Sequence, residues 1–419
     1  MIRPMKIPLA SLGLRAKDIA AAKSVLESQN FTMGSKVKEF EELVAGYLGT
    51  EHFVMVNSGS SANLIIFEAL MRPSIGSPRL FKGDGVLVPA VAWPTTIWPI
   101  IQLGLQPIFI DIDPNTIAMN LKSAQVKIDS GAFKIKAIFP IHPLGYCIDH
   151  KLLEDFCKKN NLIQLNDVCE SLGSWRGELH AGVTGLASSF SFYFSHHITT
   201  MEGGGVATND LSLADDLRAI RSHGWSRDRS DVLKWKSNYA SPLATNSITE
   251  NQLKFQFITT GYNLRPMEIQ AAIGIEQLKD LDEFVTKRRV IAKHVKNSLV
   301  GTIFEVIDGG TLNDIKLENQ HSWMFICIRI NKLLTHELRK HLDDLLEKYE
   351  IESRPVLTGN FLDQPVMHRM AGMPDPSEFP IAQSVSANYF MVSSHHDLSD
   401  EQVKYLGKSL KLIAESLSD

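Results

Sequence analysis

Cysteine is scarce in this chain. Cys147, Cys157, Cys169 and Cys327 are the only four among 419 residues. That is too few for a disulfide scaffold. None forms a CxxC or CxC pair, so a zinc ribbon or cysteine-held cluster has no framework. A basic excess is also absent. Lys+Arg 43 against Asp+Glu 47 leaves a formal net charge of −4, which argues against a nucleic-acid partner. A small anionic ligand is still allowed, because it needs only a local site. The opening MIRPMKIPLA lacks the apolar core of a secretory leader. Gly85 to Ile110 carries no charge, yet Pro89, Pro94, Pro99 and Pro107 interrupt it, which excludes a continuous membrane helix. A 44% hydrophobic content with no long polar tract excludes disorder. These absences predict a cytoplasmic globular protein, enzyme-sized, with two or three domains at about 100–200 residues each.

What the chain does have is alternation. FVMVNSG reads as a strand entering a turn, and SSANLIIFEAL as the helix after it. The uncharged run divides into a strand VLVPA, a short helix TTIWPIIQLG and a strand PIFIDID. IKAIFPIH and LIQLNDV read as strands around the helix HKLLEDFCKKNN, and SSFSFYFS and GGVATND as two more. Repeated βαβ units predict a mainly parallel sheet. LADDLRAIRSHGWS reads as a helix and KSNYASPLATNSITENQ as a polar loop. One helical pattern runs from Pro266 to about Val300, and a smaller α+β unit closes the chain.

Four places have the chemistry of a site. Asn57-Ser58-Gly59-Ser60-Ser61-Ala62 joins a strand to a helix. Small residues and free N–H groups at a helix start suit a phosphate, although a plain cap by Ser60 or Ser61 has the same pattern. Asp167 ends an apolar strand, where α/β sheets place ligand-binding groups. Trp93 either stacks on a ring or fills the core. The run Ser191 to His197 precedes the glycines Gly203-Gly204-Gly205. Read as a strand end, His196 and His197 face opposite ways and do not share a metal. One is then a candidate base, and His197 faces away.

In this order and spacing the motifs resemble those of the DegT/StrS-type sugar aminotransferases. The likeness starts at Asn30-Phe31-Thr32-Met33-Gly34 and ends near HHDLSDEQ. Between them lie VNSGSSAN, VPAVAWPTT, LNDVCESLG, SFSFYFSHHITTMEGG, GYNLRPMEIQAAIG and RPVLTGN. The resemblance implies an α/β fold of the aspartate-aminotransferase type (PLP fold type I), with a mainly parallel central sheet and a smaller α+β C-terminal domain. It makes residues 1–265 the PLP-binding domain, 266–300 a connecting helix and 301–419 the small domain. It implies that Asp167 pairs with the pyridine nitrogen and keeps the ring an electron sink. Trp93 would stack on the ring, and Ser60, Ser61 and Ser191 would hold the phosphate. Glu170 would position the cofactor or base, or make only a local hydrogen bond. Asn263 would come from a partner subunit, which implies a homodimer with shared active sites. Ser195 and Arg354 are candidates for the substrate, and His223, Arg227 and Asn360 weaker ones.

One departure decides the chemistry. Family aminotransferases carry a lysine that binds PLP covalently where this chain has His196. No lysine lies between Lys159 and Lys234, so a small register slip cannot supply one. An imidazole cannot make that bond but can move a proton. A histidine there resembles the branch of 3-dehydratases acting on nucleotide-linked 4-keto-6-deoxy sugars, with the GDP-linked mannose derivative favoured. The resemblance implies that PLP becomes PMP (pyridoxamine 5'-phosphate) at the expense of L-glutamate. The C3 hydroxyl is then lost and ammonia released, in dideoxysugar synthesis. The iron–sulfur form of this branch needs cysteines downstream of the histidine, and only Cys327 lies there; no metal is expected. Two other readings stay open: a nucleotide-sugar aminotransferase and a catalytically inactive PLP-binding regulator.

Overall fold

A computed structural model of the chain describes residues 4–11, 13–74, 76–231, 249–253 and 255–418. Its large sheet uses β1 (His52–Val56), β2 (Gly85–Pro89), β3 (Gln106–Ile110), β4 (Ile135–Ile138) and β5 (Ile163–Asp167). After a small hairpin, β6 (Trp175–Arg176) and β7 (Leu179–His180), come β8 (Ala187–Ser191) and β9 (Gly204–Thr208). The order is β1-β9-β8-β5-β4-β2-β3. β2 is buried along its whole length, and β3, β5 and β8 at all but one position. Strands apolar on both faces suit parallel pairing under covering helices, and β3, β2, β4, β5 and β8 do pair in parallel. β9 alone is reversed, against both β8 and β1. β1 therefore points the same way as β8. The carboxyl ends of six strands open on one edge, where such sheets bind ligands.

The uncharged Gly85–Ile110 run resolves as β2, the helix Pro94–Gln102 and β3. Pro94 opens its helix, where a missing N–H costs nothing. Among the described residues no helix is long and apolar enough to cross a membrane.

A second sheet, β10 (Phe304–Val306), β11 (Phe325–Ile330), β12 (Ser353–Arg354) and β13 (Tyr389–Ser393), has the order β10-β11-β13-β12 and is antiparallel. It shares a core with the helices Leu281–Ser298, His336–Lys348 and Asp400–Ser418. Ile7 is buried in that core and bridges to Ile351. Ile7 thus packs into the core of the later unit, next to the start of β12.

Three expectations change. The segment 266–300 is two helices, Glu268–Leu278 and Leu281–Ser298. Asp280 sits at the break, where Arg15 and Lys17 reach it at 2.8 and 2.6 Å. No glycine or proline marks this break, so periodicity ran through it. The helix drawn over LADDLRAIRSHGWS ends at Ile220, before the left-handed His223 (φ 65°) and Gly224. The strand drawn over SSFSFYFS ends at Ser191. Most of the polar loop read over 236–252 lies outside the described residues.

Candidate active site

The open strand edge holds a cavity of about 610 Å³. Ser58, Gly59 and Ser60 enter it from the start of the Gly59–Met71 helix, and Ser191 from the end of β8. The helix cap is Ser58, not Ser60 or Ser61: its Oγ accepts the Ser61 N–H at 3.1 Å. Ser61 is buried, donates to Asn57 Oδ1 at 2.6 Å and does not line the cavity. Ser60 is exposed towards it. A Cβ on Gly59 would stand 2.6 Å from Ser191 Cβ, so only glycine allows the two elements to meet.

Asp167 ends β5 and is buried. Its Oδ2 accepts from Thr96 Oγ1 at 2.8 Å and Asn63 Nδ2 at 3.0 Å, and its Oδ1 from the Cys169 N–H at 3.1 Å. These donors stabilise a carboxylate and fix its aim. Thr96 and Asn63 were not singled out from sequence, although each lies inside a quoted motif. Trp93, 48% exposed, caps the Pro94–Gln102 helix and forms one wall. The Arg354 guanidinium lies 6.0 Å from its ring and 4.8 Å from that of Phe325.

Glu170 is buried and accepts the Leu144 N–H at 2.8 Å. Burial lifts its carboxyl to about pH 7, against the pull of that N–H and of Arg354. Glu352, also missed, lines the cavity near Arg354 and accepts the Leu9 N–H at 2.9 Å.

His196 and His197 are not on a strand. After Ser191 the chain turns, with the His196 N–H on Tyr193 O at 2.9 Å. Strand alternation therefore does not set their directions. His196 lines the cavity beside Ser195. His197 is buried outside it, with Nε2 3.2 Å from Ser322 O. Burial first, then the charges of Arg354 and Arg288, push the His196 imidazole down to about pH 3. It is a free base at neutral pH. Its Nδ1 is buried and has no hydrogen-bond partner among the described residues. No lysine lines the cavity among the described residues.

Ser60, Trp93, Asp167, Glu170, Ser191, Ser195, His196 and Arg354 thus share one cavity, and Ser61 and Asn263 do not. Asn263 is exposed and bridges to Ser222. His223 and Arg227 also lie elsewhere, and the buried Asn360 caps a turn.

Relatives match this chain over almost their whole length. The GDP-4-keto-6-deoxy-D-mannose 3-dehydratase of Yersinia pseudotuberculosis is 36% identical over 408 residues, 97% of this chain and 98% of that one. The structure of the E. coli GDP-4-keto-6-deoxy-D-mannose-3-dehydratase with bound hydrated PLP matches at TM-score 0.84 and 33% identity, covering 98% of this chain and 100% of that one. A GDP-4-keto-6-deoxymannose-3-dehydratase with a trapped PLP-glutamate geminal diamine matches at TM-score 0.83 and 33% identity, over 97% and 100%. The profile of the DegT/DnrJ/EryC1/StrS aminotransferase family matches residues 13–411. With the motifs, the sheet order and the cavity in agreement, the chain belongs to that family.

Proposed function

We propose that this protein is a PLP- and PMP-dependent 3-dehydratase of a nucleotide-linked 4-keto-6-deoxyhexose, with GDP-4-keto-6-deoxy-mannose as the favoured substrate. The observation that carries this reading is His196, a neutral base in a cavity whose described lining holds no lysine.

The residues present fit the cofactor. Asp167 offers a buried, well-donated carboxylate for a pyridinium nitrogen, and Trp93 an exposed ring face. Ser60, the helix start at Gly59 and Ser191 offer donors for a phosphate. Bound PLP supplies an electron sink and, as PMP, an amine for a sugar ketone. His196 moves the proton whose removal drives loss of the C3 hydroxyl. Having no lysine amine to offer, the site favours elimination over fixing an amine on the sugar. Arg354 and Ser195 orient the substrate, and L-glutamate restores the amine. Asn263, outside its own cavity, completes the site of a second copy in a homodimer. The reading places the enzyme in the cytoplasm, in dideoxysugar synthesis.

One assay tests it: purified protein with PLP, L-glutamate and GDP-4-keto-6-deoxy-mannose. Ammonia and a 3-deoxy sugar are expected. A stable 4-amino sugar would make the protein an aminotransferase, and tight PLP without turnover a regulator; either result overturns the reading.

A further inference from the structure

Arg288 projects from the Leu281–Ser298 helix into the protein interior and is 1% exposed. Among the described residues it forms no ion pair with a carboxylate; Asp397 acts on it only at a distance. Its fork is spent on carbonyls instead. Nη1 donates to Trp323 O at 3.2 Å and to Met324 O at 3.0 Å, and Nη2 to His196 O at 3.2 Å. Trp323 has φ 57°, a left-handed conformation costly for so large a side chain. Ser394 Oγ helps hold it, by donating to the same two carbonyls.

The next bonds lead back to the cavity. The Met324 N–H donates to Leu144 O at 2.9 Å, and the Leu144 N–H to Glu170 Oε2 at 2.8 Å. One run of hydrogen bonds therefore joins Glu170, Leu144, Met324, Arg288 and His196. The groups facing the His196 imidazole are Arg354 from β12, Arg288 from its helix, and His197 and Tyr193 from its own loop. Glu170 lines the same cavity. Around Arg288 stand His197, His395 and His396 as well, each held neutral by burial first and then by its charge.

We propose that Arg288 is the positioning residue of the base: it clamps the His196 carbonyl to the Trp323–Met324 segment, whose Met324 lines the cavity. This rests on the reading of His196 as the base. The planar guanidinium reaches three carbonyls on two segments, which a single ammonium does not reproduce.

Two variants test it. In the holoenzyme, Arg288→Lys lowers kcat of the L-glutamate half-reaction by about tenfold or more, with KM for glutamate within about twofold. Arg288→Met is examined without cofactor, by NMR of histidine labelled in the ring and assigned with His196→Asn. At about pH 7.5 its His196 ring signals broaden or split, as for a ring no longer held in one orientation, while the wild-type ring gives one sharp set. A lysine variant with wild-type kcat overturns the proposal, and so do His196 ring signals in Arg288→Met that match the wild type. If Arg288→Met does not fold, the lysine variant decides alone. If the wild-type enzyme does not react with glutamate while the ring signals change as stated, the assigned function fails and the clamp stands.

Discussion

Gly59 packs so closely on Ser191 that a methyl group on it would stand 2.6 Å from the Ser191 Cβ and 3.0 Å from its Oγ. The start of one helix and the end of β8 therefore meet at the place where both offer donors to an anion. Gly59→Ala must push the two apart. It should weaken PLP binding by about tenfold or more, since a displaced buried contact costs about 1–3 kcal/mol. Fluorescence titration with PLP measures this. Gly46→Ala, with open space around its Cβ in the Ser35–Leu48 helix, should leave binding unchanged.

Thr96 gives Asp167 its shortest hydrogen bond, at 2.8 Å. A bond to a charged acceptor is worth about 1.5–3 kcal/mol. Thr96→Val keeps the shape and removes the donor. PLP affinity should fall by about tenfold or more, and the protein without cofactor should melt a few degrees lower. Equal affinity in the variant would mean that Asp167 needs no help to face the cofactor.

Under the proposed function, His196 stands in for the lysine with which the family's aminotransferases hold PLP. His196→Lys should bind PLP covalently, and borohydride should fix the adduct as a mass increase in the intact protein. The wild-type protein should show no such adduct. A trapped lysine in the wild type would remove the central distinction from the family's transaminases.

Buried histidines predict acid sensitivity. Burial pushes His142, His180, His321 and His395 down to about pH 3. Neighbouring His150 also falls for the same reason. In the unfolded chain each titrates near about pH 6.5. The folded state thus binds fewer protons, so its stability is full above about pH 6.5 and is lost as pH falls from there towards 3. The urea midpoint should drop steadily between about pH 6.5 and 4.5. His142→Gln should flatten part of that slope. A midpoint flat across this range would show that these rings take protons without cost.

Much of the site was legible because its parts are short motifs at strand ends. Asp167, Trp93, Ser191 and His196 each follow or end an apolar strand, and parallel pairing carries such ends to one edge. Choosing among the serines was harder. Ser58, Ser60 and Ser61 are neighbours on a turn, and only the helix direction decides that Ser61 points back to Asn57 while Ser60 faces the cavity. The turn after Ser191 was invisible, because Phe192 to Phe194 have the composition of a strand. The break at Asp280 was hidden too. There Asp280 meets Arg15 and Lys17, far away in the chain, and no local breaker marks the place. Arg288 gave no signal either: an arginine in a charged helix reads as surface until the packing is seen.

The reversed β9 and the late second sheet bear on how the protein is made. Asp167 and Ser191 end strands of a sheet, and His196 lies in the loop after β8; that sheet closes only when β9 inserts between β1 and β8. The opposite wall needs Arg354 and Glu352, and Glu352 takes its N–H from Leu9 across most of the chain. During synthesis the first sheet can assemble on the ribosome while the cavity still stands open on that side. The last wall arrives with β12 and β13, near the end of translation. A chain ending before β12 would hold Asp167 and His196 without Glu352 and Arg354 to face them.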